Sequence, residues 1–179
     1  IPSDLDRDAD DNEFAFALVT EDNSTTLPTT ATLTKLQGTS GDVEDTANKY
    51  SETLKDADGL ISFKSGFTQN ADGTISAGSQ KLTAGRYKLE FKLPSSFGFK
   101  PKDSSITSRK ITDEATGQEY NVYTMYITLT AKTAGGTDLK GLKQLITMTA
   151  NGETSGASGT GTSAGVGAGV NVVNSSNLA

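Results

Sequence analysis

The sequence predicts an all-β chain: an antiparallel β-sandwich with a Gly/Ser-rich C-terminal extension that ends in an extra strand. Three observations carry this. "AGRYKLEFKLP" (84–94) alternates cleanly, with Tyr87, Leu89, Phe91 and Leu93 on one face and Arg86, Lys88, Glu90 and Lys92 on the other. Similar alternating runs recur along the chain and are separated by Gly/Asp turns. Helical periodicity is nearly absent, and several short strands with turn punctuation and almost no helix are the pattern of a sandwich.

The elements follow in order. Residues 1–12 form an acidic, non-periodic segment. "EFAFALVTED" (13–22) then reads as a strand with Phe14, Phe16 and Leu18 on one face; Ala15, Ala17 and Val19 make the other face apolar as well, so it is expected to be buried on both sides. "NSTTLPTT" is a turn, and "TATLTKL" (30–36) alternates as a half-buried strand. "GDVEDTANKY" (41–50) carries Val43, Ala47 and Tyr50 at i, i+4 and i+7, which predicts a short helix. "KDADGLISF" turns at Asp58-Gly59 into another strand, and "NADGTIS" (70–76) repeats the device at Asp72-Gly73. Pro94 ends the 84–94 strand. A long strand is predicted over 119–131, where Tyr123, Met125, Ile127 and Leu129 alternate with polar neighbours, and a last core strand over 142–150. This gives an acidic segment (1–12), a sandwich domain (13–151), a Gly/Ser/Thr linker (152–164) and a C-terminal strand extension (165–179).

Composition narrows the function classes. The 179 residues suffice for one domain with a sizeable core. Sixteen basic against 22 acidic side chains give a net charge of −6, which argues against nucleic acid and anionic membrane as partners. No stretch approaches the roughly 18–20 apolar residues of a membrane span. The chain contains no Cys and no His, which removes disulfides, thiolate metal sites, Cys nucleophiles and His general bases. "GTSAG" (161–165) matches the G-x-S-x-G nucleophile pattern, yet it sits in low complexity with no preceding strand and no His to act as base. No acid stands in an aromatic cleft signature, and no Trp is available for sugar stacking. The chain is therefore expected not to be an enzyme. Its start at Ile1-Pro2-Ser3, without an initiator Met, fits a processed, exported protein.

The stretch "LKDADGLISF…LTAGRYKLEFKLPSSFGFKP" resembles the B-type, prealbumin-like repeats of Gram-positive surface adhesins and pilins. Asp56, Asp58, Gly59, Ile61 and Phe63 match the first part of their pattern; Gly85, Tyr87, Leu89, Phe91, Pro94, Gly98 and Phe99 match the second. The match covers about 45 residues of short elements. The resemblance implies a prealbumin/Ig-like sandwich on the cell surface. Pilin and collagen-adhesin members close a Lys–Asn or Lys–Asp isopeptide bond under a buried Glu. Here Phe91 takes the place of that Glu, and period-2 alternation turns Glu90 away. Lys35 and Asn151 are the residues available as partners, but without the carboxylate the chain fits the variant that lacks the bond, some of whose members carry entrance-loop calcium.

Two sets of residues stand out as candidate sites. Asp4, Asp6, Asp8, Asp10, Asp11 and Glu13 supply the dense oxygen ligands a hard cation such as Ca2+ takes. Ala9 and Ala15 occupy the places where an EF-hand loop begun at Asp4 needs Gly and Glu, so an EF-hand is excluded; a calcium loop of another kind and a solvated acidic leader both remain open. Tyr50, Tyr120, Tyr123 and Tyr126 read as exposed tyrosines, and Tyr120 and Tyr126, on the polar face of their strand, offer a small adhesive patch for a matrix or glycan ligand. In the extension, Val166, Ala168, Val170 and Val172 alternate with Gly167, Gly169 and Asn171. Such a strand needs a sheet edge, either in its own domain or, by strand donation, in a neighbouring subunit. The leading expectation is an extracellular structural protein, a subunit of a cell-surface filament or stalk that self-associates through its tail. The alternative is an adhesin or a calcium-dependent carbohydrate- or protein-binding module.

Overall fold

The computed structural model describes residues 7–22, 25–38, 41–51, 54–55, 59–69, 75–78 and 81–150. Within them the chain is all-β and antiparallel hairpins dominate. The strands are β1 (Glu13–Thr20), β2 (Thr26–Leu27), β3 (Thr30–Leu36), β4 (Glu44–Ser51), β5 (Leu54–Lys55), β6 (Ile61–Lys64), β7 (Phe67–Gln69), β8 (Ile75–Ala77), β9 (Gly85–Pro94), β10 (Phe99–Pro101), β11 (Thr107–Thr112), β12 (Glu119–Leu129) and β13 (Leu142–Ala150), with one 3-10 turn at Ser95–Phe97. One sheet runs β10-β13-β1-β6-β5, with β2 paired to β1; a second runs β11-β12-β9-β3-β4; β7 and β8 form a separate hairpin. Among the described residues no helix is long and apolar enough to cross a membrane.

Two compact units share the chain. The first comprises Ile1–Phe91, Ser105–Thr107 and Tyr123–Ile146. Its core follows from the sequence of β1. Alternation sends Phe14 and Phe16 to one face, where Phe14 stacks on Phe63 of β6 at 6.1 Å between ring centroids. Phe16 reaches Phe91 of β9 at 5.9 Å, and Phe91 stacks on Tyr123 of β12 at 5.4 Å. This aromatic row joins the two larger sheets face to face, which makes the fold a β-sandwich. On the other side of β1, Ala15, Ala17 and Val19 cluster with Leu60 and are equally buried, as two-sided apolarity requires.

The second unit comprises Lys92–Ser104, Ser108–Val122 and Thr147–Ala179. Within it β10 pairs with the end of β13, Phe99 opposite Ala150 and Pro101 opposite Met148. The β11–β12 connection closes through the Asp113–Gly117 turn, where Gly117 takes φ +74° and its amide donates to Asp113 at 2.7 Å.

Two expectations are overturned. Residues 41–50 form no helix: β4 pairs antiparallel with β3, Leu33 opposite Tyr50. The pairing buries Tyr50, whereas Val43, the first residue of the supposed helical stripe, is 62% exposed. Tertiary pairing overrides the local spacing here. Tyr50 and Tyr123 are also core residues, not surface tyrosines.

Tyr50 and Tyr87 work as a pair beneath the 81–84 loop, with ring centroids 6.4 Å apart. Tyr50 Oη donates to the Lys81 carbonyl at 2.6 Å; Tyr87 Oη donates to the Thr83 carbonyl at 2.7 Å and accepts the Thr83 amide at 3.0 Å. Burial, with the nearby Tyr87 and Asp45, pushes the Tyr50 phenol up to about 12. The folded chain thus holds a proton that the unfolded chain releases near pH ~10. Stability from this group is complete below that value and is lost as pH rises toward about 12. In Tyr50→Phe, the unfolding free energy from urea titrations across that window should fall less steeply than in the parent, by up to about 2 kcal/mol. Parallel curves would show that Tyr50 releases its proton over the same pH range in the folded and unfolded chain.

Candidate functional site

The acidic segment and the strand it enters form a densely bonded polar site in the first unit. Glu13 opens β1 with its side chain turned into the protein, and it is 1% exposed. A buried carboxylate needs partners, and this one has them. Arg7 grips it with both terminal nitrogens, at 3.1 Å to Oε1 and 3.0 Å to Oε2. The Asp10 amide donates to Oε1 at 2.7 Å, and Ser62 of β6 donates its hydroxyl to Oε2. Burial works to raise the Glu13 pKa, but the hydrogen bonds from Arg7, Ser62 and Asp10 and the Arg7 charge outweigh it and hold the carboxyl below its ordinary value.

Residues 7–12 therefore wrap around one carboxylate as a strap, and further bonds tie the strap outward. Asp10 pairs with Lys64 of β6 at 2.9 Å, and Asp11 with Lys132 of the β12–β13 loop at 2.6 Å. Asp11, helped by Asp138, raises the Lys132 pKa through its hydrogen bond and charge. Lys143 of β13 donates to the Arg7 carbonyl. Asn12 adopts φ +61°, and the reversal lets its amide donate to the Leu139 carbonyl at 3.0 Å while its Oδ1 accepts the Leu139 amide at 2.9 Å. Its own carbonyl accepts from Ser65 at 3.3 Å. Gly141 lies so close to the Ala9 and Asp10 carbonyls that a Cβ there would collide with backbone.

The predicted calcium ligands thus divide. Asp4 and Asp6 lie outside the described residues. Asp8 is exposed, while Asp10, Asp11 and Glu13 face three different basic side chains. Among the described residues no three His, Cys, Asp or Glu side chains gather as a cation site. Arg7, Lys64 and Lys132 pair with Glu13, Asp10 and Asp11 respectively. Arg7 was legible inside the acidic run; Lys64, Lys132, Lys143 and Ser62 come from remote sequence that no local pattern links to it.

Tyr120 and Tyr126 of β12 each meet a cation of β9 within their own unit. In the first unit Arg86 lies over the Tyr126 ring, 4.4 Å from its centroid, and bonds Asp42 at 3.0 Å. Tyr126 remains 40% exposed. Lys88 of the same face is paired with Glu44. In the second unit Lys92 lies 4.5 Å over Tyr120. These are cation–π pairs that brace polar side chains on the sheet. Lys35 donates to Thr83 Oγ1 at 2.6 Å. Asn151, Asp56, Asp58, the "GTSAG" stretch and the tail residues Val166, Ala168, Val170 and Val172 lie outside the described residues.

No protein-family model, no curated protein and no solved structure matches this chain.

Proposed function

We propose that the chain is an extracellular structural protein, a subunit of a cell-surface filament or stalk that assembles when the C-terminal strand of one copy pairs with a sheet edge of the next. The observation that carries this reading is the tail itself: Val166, Ala168, Val170 and Val172 alternate with Gly167, Gly169 and Asn171 after a Gly/Ser/Thr linker. Such a segment has one apolar face and a backbone that needs partners. The two larger sheets supply edges, ending at β4 and β11 in one and at β5 and β10 in the other. The edge strand β11 is six residues long and almost wholly exposed, about the length of the alternating tail. A head-to-tail contact of this kind does not close and so propagates into a fibre. The resemblance of residues 54–101 to adhesin and pilin repeats agrees with a surface location.

Size-exclusion chromatography with electron microscopy tests the reading. The parent should form fibres as its concentration rises, and Val170→Asp, which puts a charge on the apolar face, should stay monomeric. A Val170→Asp chain that polymerises like its parent overturns strand donation. The alternative, a binding module, has Tyr126 and its Arg86 cap on its side as an exposed aromatic–cation pair. A parent that remains monomeric while binding matrix or glycan would support that reading instead.

A further inference from the structure

The strap meets both ends of a mechanical problem. β1 and β13 are hydrogen-bonded neighbours in their sheet. Gly141 packs on the Ala9 and Asp10 carbonyls, and Lys143 bonds the Arg7 carbonyl, all immediately ahead of Glu13. Both strands therefore begin at the strap and set off in the same direction. Tension that enters before Arg7 and leaves after Ala150 drags them lengthwise past each other, so their shared hydrogen bonds are loaded together, not opened one after another. Before that tension reaches β1, the incoming chain is already tied sideways to β6 through Asp10–Lys64 and Asn12–Ser65. It is tied to the β12–β13 loop through Asp11–Lys132 and Asn12–Leu139.

We propose that residues 7–13 are a mechanical clamp, which spreads force arriving along the N-terminal side over β1, β6 and the start of β13 and so slows forced unfolding in that one direction. That the clamp serves the molecule rests on the filament reading of its function; that it exists does not. Each exposed ion pair adds little to equilibrium stability. Under tension the pairs act on the unfolding rate, because they must break before β1 can move.

The test pulls single molecules of the full chain. Asp10→Asn with Asp11→Asn removes two ion pairs whose acids are 64% and 51% exposed, so the variant folds. Pulled through its two termini, it should unfold about tenfold faster than the parent at the same force, and high salt should speed the parent likewise. The chain has no Cys, so Glu21→Cys, in the turn after β1, gives a unique second attachment point that bypasses the strap. Pulled from there and from the C-terminus, parent and variant should unfold at the same rate. An unchanged rate in the end-to-end geometry overturns the clamp, as does an equal increase in both geometries, which would be plain loss of stability. Single-molecule pulling needs no assembly. A parent that forms no filaments therefore refutes the filament reading and leaves the force result standing, and the converse holds too.

Discussion

Phe91→Ala is expected to lower the unfolding free energy by about 3–5 kcal/mol, the largest single-residue effect in the sandwich. Phe91 is 1% exposed and stands where the sheets meet, between Phe16 of one sheet and Tyr123 of the other. Removing its ring forfeits the transfer free energy of the side chain and leaves a cavity walled by other aromatic side chains. Those walls cannot collapse freely, because Phe16 is also held by Phe14, and Phe14 by Phe63. Urea denaturation should show a lower midpoint with an unchanged slope. A loss under about 1 kcal/mol would mean that the sheets repack around the gap and that the aromatic row is not their joint.

Sequence alternation revealed the sandwich wherever a strand has to bury one face or both. β3, β9, β12 and β13 were legible because apolar residues alternate along them, and β1 because both of its faces are apolar. β10 and β11 were missed for the opposite reason. "FKP" and "TSRKIT" have no fully buried residue, so no hydrophobic pattern marks them, and pairing with β13 and β12 is what makes them strands. β4 misled because three apolar residues fell by chance at helical spacing, and only the partner strand shows that Tyr50 faces inward while Val43 faces water.

The acidic segment shows the limit more sharply. Its charge was plain, and a calcium loop and a solvated leader were both open readings of it. The answer the fold gives to Asp10, Asp11 and Glu13 is built from side chains, since Arg7, Lys64 and Lys132 supply the positive charge. A local reading sees the need for compensation but not its source, because two of the three cations arrive through topology.

Glu13→Gln is expected to cost about 2–4 kcal/mol at neutral pH, close behind Phe91→Ala, and the effect should depend on pH in a defined way. The substitution keeps the shape and removes the charge that Arg7, Ser62 and the Asp10 amide converge on. One Gln oxygen cannot accept all these donors, and the new amide group puts a donor against a donor. Arg7, whose side chain is 34% exposed, can turn toward water, which places the cost below that of a fully stranded buried ion. Because the folded-state pKa of Glu13 lies below the ordinary 4.5, its contribution is complete above that value and is lost as pH falls through the folded value. The parent should therefore lose stability on acidification faster than Glu13→Gln, and the two curves should converge once the parent's carboxyl is protonated. Arg7→Ala separates charge from shape: it leaves the carboxylate buried with only neutral donors, so its penalty should shrink on acidification as the carboxyl is protonated. Thermal melts of the three chains from neutral to acid pH decide the matter. Curves that stay parallel throughout would mean that folding does not shift the Glu13 pKa, so that Arg7, Ser62 and the Asp10 amide do not favour its charged form.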